Sequence, residues 1–144
     1  MLLLTLAYAR GQSGDASAVR NLVDSERFTF EAQGVTSSMG DYRNLTTGDY
    51  KVQVNKDSVS CFLPYYGHAM MAINNQVPDQ LDVHSHKASY KTRVTRKGGW
   101  SMSVKPRDDN SVQQFAFEIN PDGTATLTVT CPLLDPISFN GYIH

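Results

Sequence analysis

From Arg27 onward the chain alternates apolar and polar side chains in short runs, and most runs end at turn-forming residues. Phe28, Phe30 and Ala32 oppose Thr29 and Glu31, and Tyr50, Val52 and Val54 repeat the pattern. Val59, Cys61 and Leu63, then Tyr90, Thr92 and Val94, then Trp100, Met102 and Val104 continue it. Phe115, Phe117 and Ile119, Leu127, Val129 and Cys131, and finally Ile137 and Phe139 complete the series. A period of two puts every second side chain on one face, which is the pattern of half-buried strands. Asn55-Lys56-Asp57, Lys97-Gly98-Gly99 and Asn120-Pro121-Asp122-Gly123 supply the reversals, the last with Pro to set one φ and Gly to adopt a positive one. About eight or nine short strands joined by hairpins make an antiparallel meander. The long helical spacers that parallel strands need are absent. Such a sheet hides its edges by closing into a small barrel or folding into a sandwich. A barrel of about eight strands has a lumen that side chains just fill, or that holds one small ligand.

Only Asp15 to Ser25 departs from this period. Val19, Leu22 and Val23 fall at helical spacing, with Ser13 or Asp15 available as a cap. Ahead of it, Leu2 to Ala9 is apolar, too short to span a bilayer, and ends in the small-x-small triplet Ala7-Tyr8-Ala9 that signal peptidase accepts. No Lys or Arg precedes the run, so residues 1–9 read as a truncated signal peptide. Residues 10–25 then form a linker and short helix, and 26–144 a single antiparallel β domain. The expected location is outside the cytoplasm, in the periplasm or cell envelope. Thirteen Lys and Arg against fourteen Asp and Glu leave a net charge of -1, without the basic excess of a nucleic-acid binder.

Chemistry-bearing residues are few. Cys61 and Cys131 both fall on the apolar phase of their strands, as two buried thiols or as a disulfide formed after export. Asp82, His84 and His86 share a strand face, but no third reliable ligand accompanies the histidines, so no metal and no cofactor are expected. There is no Gly-x-Ser-x-Gly elbow, and Gly98-Gly99 lacks the strand-to-helix setting of a phosphate loop. Glu31 and Glu118 lie on polar phases, so no catalytic constellation emerges. Lys87, Lys91, Arg93, Arg96 and Lys97 form a basic cluster, with Lys91, Arg93 and Lys97 on the outer phase of one strand. That cluster suits either an anionic partner or a solvated barrel face with edge lysines.

Five sets of stretches run in a recognisable order: Arg27-Phe28-Thr29-Phe30-Glu31-Ala32, Asp57-Ser58-Val59 with Leu63-Pro64-Tyr65-Tyr66-Gly67, Lys97-Gly98-Gly99-Trp100, Lys105-Pro106, and Ile137-Ser138-Phe139-Asn140-Gly141-Tyr142-Ile143. Together they resemble the exported bacterial proteins grouped as domain of unknown function family 4251. The resemblance implies an N-terminal signal, a short helix and a lipocalin-like antiparallel barrel, and it implies no activity.

Between Pro64 and Pro78 lie Tyr65, Tyr66, Met70, Met71 and Ile73 with few charges, unlike an ordinary surface loop. This segment reads as a flap over the mouth of a ligand site, as a plug in the barrel, or as a sticky patch for a protein partner. The leading expectation is a non-enzymatic binding module of the cell envelope for a small apolar or amphipathic ligand. Tyr65, Tyr66, Met70 and Met71 would line its mouth, with Trp100 inside. The competing expectation is a protein-interaction or structural module with a filled barrel. Neither includes a membrane span or nucleic acid.

Overall fold

The structure, a computed structural model, describes residues 16–46, 48–66 and 79–144. The leader, Ser13, Asp15, Met70 and Met71 lie outside the described residues. One helix, α1 (Ala16–Ser25), precedes the strands β1 (Arg27–Thr36), β2 (Tyr42–Asn44), β3 (Lys51–Asn55), β4 (Ser58–Pro64) and β5 (Gln80–Ser85). They are followed by β6 (Ala88–Val94), β7 (Trp100–Pro106), β8 (Gln114–Ile119), β9 (Thr124–Thr130) and β10 (Ile137–Ile143). All pairings are antiparallel, in the order β5-β4-β3-β1-β10-β9-β8-β7-β6, with the short β2 added to β1. The first and last strands are thus the two halves of one bent stretch of chain. Eight antiparallel steps separate β5 from β6 along the sheet, so both run in the same direction and only His86 and Lys87 stand between them. β5 pairs with β4, and β6 pairs with β7. The nine-strand path is nearly closed into a barrel by this strand, which changes partner midway.

The alternation expected from the sequence sets the burial. Phe30, Val52, Leu63, Val104, Phe115, Phe117, Leu127 and Val129 have no exposed surface. Phe117 on β8 meets Phe28 and Phe30 on β1 edge to face, with centroids 5.5 and 5.8 Å apart. These strands are not neighbours in the sheet, so the rings meet across the barrel. Each such contact adds about 0.5–1.5 kcal/mol to the gain from burial.

α1 buries Val19 and Val23, one turn apart, against one end of the barrel. Val19 lies over the β8–β9 turn, where a Cβ on Gly123 would meet its Cγ2 at 3.5 Å. The helix stops at Glu26, whose φ of 56° turns the chain into β1. In that β8–β9 turn Gly123 adopts the expected positive φ, 93°, and donates its N–H to the Asn120 carbonyl at 2.9 Å. Close packing of β1 on β10 requires Gly141, because a Cβ there would collide with the Glu31 carbonyl.

Expectation and structure differ at β6. Tyr90, Thr92 and Val94 keep the predicted phase, yet Tyr90 is only half-buried, Thr92 is exposed and Val94 is 71% exposed. Alternation assigns a face, whereas burial also needs a neighbour on each edge. β4 begins at Ser58, after the Asn55–Ser58 turn, and among the described residues β6 beyond Tyr90 has no neighbour on that edge.

Candidate functional site

Tyr65 and Tyr66 follow β4 at the end of the barrel away from α1. Tyr65 N–H donates to the Asp79 carbonyl at 3.0 Å, carrying the β4–β5 ladder one step past Pro64. Its ring is buried, and its hydroxyl donates to the Asp135 carbonyl in the β9–β10 link at 2.7 Å. Burial pushes the Tyr65 phenol up to about 12, with the Asp135 charge adding to the effect. Tyr66 is half-buried, and the Arg43 guanidinium from β2 lies 4.2 Å from its ring centroid. Trp100, also buried, opens β7 opposite Ile119, beside the β8–β9 turn and hence at the α1 end. The two tyrosines are therefore brought together, while Trp100 sits a strand's length away. Met70 and Met71, the other members of the expected mouth, lie outside the described residues.

A second feature lies on the outer face of β6 and β7. Cross-strand pairs Ser89–Lys105 and Lys91–Ser103 set a short side chain against a long one in opposite order. The result is a depression of about 300 Å³ lined by Ser89, Tyr90, Lys91, Ser103, Lys105 and Arg107. Arg107 Nε donates to Ser89 Oγ at 3.2 Å. Among the described residues, ion pairs join only His84 to Asp82 and His144 to Glu31, so Lys91, Arg93, Lys105 and Arg107 contact no carboxylate. Glu118, held by Ser101 Oγ at 3.3 Å, stands in the next row of that face. Lys105 and Arg107 lie outside the run of basic residues from Lys87 to Lys97 that adjacency in the sequence picks out. Register counted outward from the Lys97-Gly98-Gly99 hairpin was the signal that could have placed them there.

The bend between β5 and β6 is tied down by Asp108. Its carboxylate accepts from the buried Ser85 hydroxyl and from the His86 N–H, the latter at 3.0 Å. These two donors hold the carboxyl below its ordinary value. His86 is thus engaged through its backbone, while Asp82 and His84 pair with each other at 3.0 Å on the exposed face of β5. Among the described residues no group of three or more His, Cys, Asp or Glu is placed to hold a metal ion. Cys61 and Cys131 are free and buried. Burial pushes their thiols up to about 12 and about 11, which makes both poor nucleophiles. No described helix is long and apolar enough to cross a membrane.

A family model described as domain of unknown function (DUF4251) matches residues 12–143. Among solved structures, the chain is similar to a DUF4251 family protein from Bacteroides eggerthii DSM 20697, with a TM-score of 0.63 and 19% identity. The similarity covers 90% of this chain and 84% of that one, and at this identity it speaks for the fold alone. No curated protein matches the chain.

Proposed function

The chain belongs to the DUF4251 family, and from that premise we propose that it is a non-enzymatic interaction module of the cell envelope. In this reading the barrel interior is structural and recognition takes place on its outer surface. The observation that carries it is the contact of Phe28 and Phe30 with Phe117 across the lumen, where an apolar ligand would otherwise lie. Phe139, Leu127 and Met102 are buried in the same core, and the Tyr65 hydroxyl is committed to the β9–β10 link. Export is supported by the apolar run Leu2 to Ala9 and the Ala7-Tyr8-Ala9 triplet.

The test is displacement of a fluorescent fatty acid by the purified full chain. A filled lumen gives no saturable signal. Saturable one-to-one binding would overturn the reading and return the site to the mouth formed by Tyr65 and Tyr66.

A further inference from the structure

The β6–β7 register fixes which backbone groups of β6 are occupied. Thr95 N–H donates to the Gly99 carbonyl at 2.9 Å, and Arg107 N–H donates to the Lys87 carbonyl at 2.6 Å. In an antiparallel ladder these bonds recur at every second residue, so Ser89, Lys91 and Arg93 direct their N–H and C=O groups to β7. Ala88, Tyr90, Thr92 and Val94 direct theirs the other way. Ala88 N–H reaches the Asp57 carbonyl at 2.9 Å, and the Tyr90 hydroxyl donates to the Ser58 carbonyl at 2.8 Å. Beyond Tyr90, the backbone groups of Thr92 and Val94 have no partner among the described residues. This leaves a short stretch of open sheet edge at the seam of the barrel.

The surroundings of that edge select its occupant. On the outer side stand the exposed Lys91 and Arg93, with Lys105 and Arg107 one strand further in, none of them within ion-pair distance of a carboxylate among the described residues. On the inner side, Thr92 and Val94 offer a small, partly apolar surface. Two copies of β6 laid edge to edge would oppose Lys91 and Arg93 with their own kind, and such like-charge pairs across strands are destabilising. Glu26 and Asp57 stand near Tyr90, at the start of the edge, so the basic flank that would favour an acidic strand lies beyond it, beside Thr92 and Val94.

We propose that the free edge of β6 from Tyr90 to Val94 receives an extended acidic segment of a partner protein. The segment adds as a further strand and alternates carboxylate with small apolar side chains. Its carbonyls accept from Thr92 and Val94 N–H, its carboxylates lie beside Lys91 and Arg93, and its apolar residues cover Val94. The proposal rests on the outer-surface reading above, whose failure would show separately, as fatty-acid displacement.

The experiment uses the full chain and a fluorescein-labelled, end-blocked eight-residue peptide alternating Glu and Val, with its Lys–Val counterpart as control. Anisotropy is expected to saturate with the Glu–Val peptide alone, and amide exchange at Thr92 and Val94 to slow when it binds. Thr92→Pro removes an edge donor that β7 does not use, so the fold tolerates it while affinity falls by roughly tenfold or more. Lys91→Glu with Arg93→Glu should also weaken binding by roughly tenfold or more, leaving every backbone donor in place. The proposal is overturned if the Glu–Val peptide does not bind, or if Thr92→Pro binds it unchanged, which would mean charge attraction without strand addition. A dimer in light scattering that Thr92→Pro dissociates would overturn it as well, by assigning the edge to a second copy.

Discussion

β9 and β6 begin from the same kind of sequence and end differently. Ala125, Leu127 and Val129 alternate with Thr124, Thr126, Thr128 and Thr130, and the apolar set is buried completely or nearly so. Tyr90, Thr92 and Val94 alternate with Ser89, Lys91 and Arg93, and the same phase leaves Val94 exposed. β9 has β8 and β10 on its two edges, whereas among the described residues β6 pairs with β7 alone. The difference teaches that the period of two determines which way a side chain points, and neighbouring strands determine whether it is covered. The barrel therefore has a packed wall and a seam, the first carrying the buried contacts and the second the edge proposed for recognition.

The strongest way to break this comparison is to truncate one residue in each region. Phe117→Ala should cost about 3–5 kcal/mol in urea unfolding, since it removes both contacts across the lumen and leaves a cavity. Val94→Ala should stay within about 0.5 kcal/mol of the parent. Equal losses would mean that the seam is as well packed as the wall. Gly141→Ala presses on the same wall from its backbone, forcing β10 away from the Glu31 carbonyl. A loss of about 1–3 kcal/mol is expected, measured in the same titration.

Smaller effects sharpen the contrast. The Asp108 carboxyl titrates below its ordinary 3.8 because Ser85 and His86 donate to it. Its contribution to holding the β5–β6 bend is therefore complete above 3.8 and is lost as pH falls through the lower folded value. Amide exchange at His86 should accelerate over that acid range, while Leu127 and Val129 keep their protection. Loosening of the wall at the same pH would remove the distinction between the two regions. The least change of all is expected at the thiols. Cys61 and Cys131, raised to about 12 and about 11, should resist alkylation at pH 8 until the protein unfolds, as mass spectrometry would register.

The sequence made the wall legible. Strand phase from Phe28 to Phe139, the positive-φ glycine of the Asn120–Gly123 turn and the helix around Val19 and Val23 follow from periodicity and turn chemistry, which are local properties. The bend at His86 and Lys87 was not legible, because a change of partner within one stretch of chain is decided by sheet order and leaves the alternation intact. For the same reason Val94 read as core. Of the expected site, Tyr65 and Tyr66 of the mouth share one end of the barrel, and Trp100, expected inside, lies at the other. Side-chain type could not give their height along the barrel. The depression on β6 and β7 depends on Lys105 and Arg107 sharing the outer face of the β6–β7 hairpin with Lys91, Lys105 standing opposite Ser89 and Lys91 opposite Ser103, a relation that the cluster of adjacent basic residues does not contain.

Residue-resolved hydrogen exchange along β6 in the unliganded protein reaches the central claim most directly. The account predicts a sawtooth: slow amides at Lys91 and Arg93, which donate to β7, and nearly unprotected ones at Thr92 and Val94, which face the open edge. Thr92 and Val94 exchanging as slowly as Arg93 would contradict it, for the seam would then be closed and the barrel without an edge to offer.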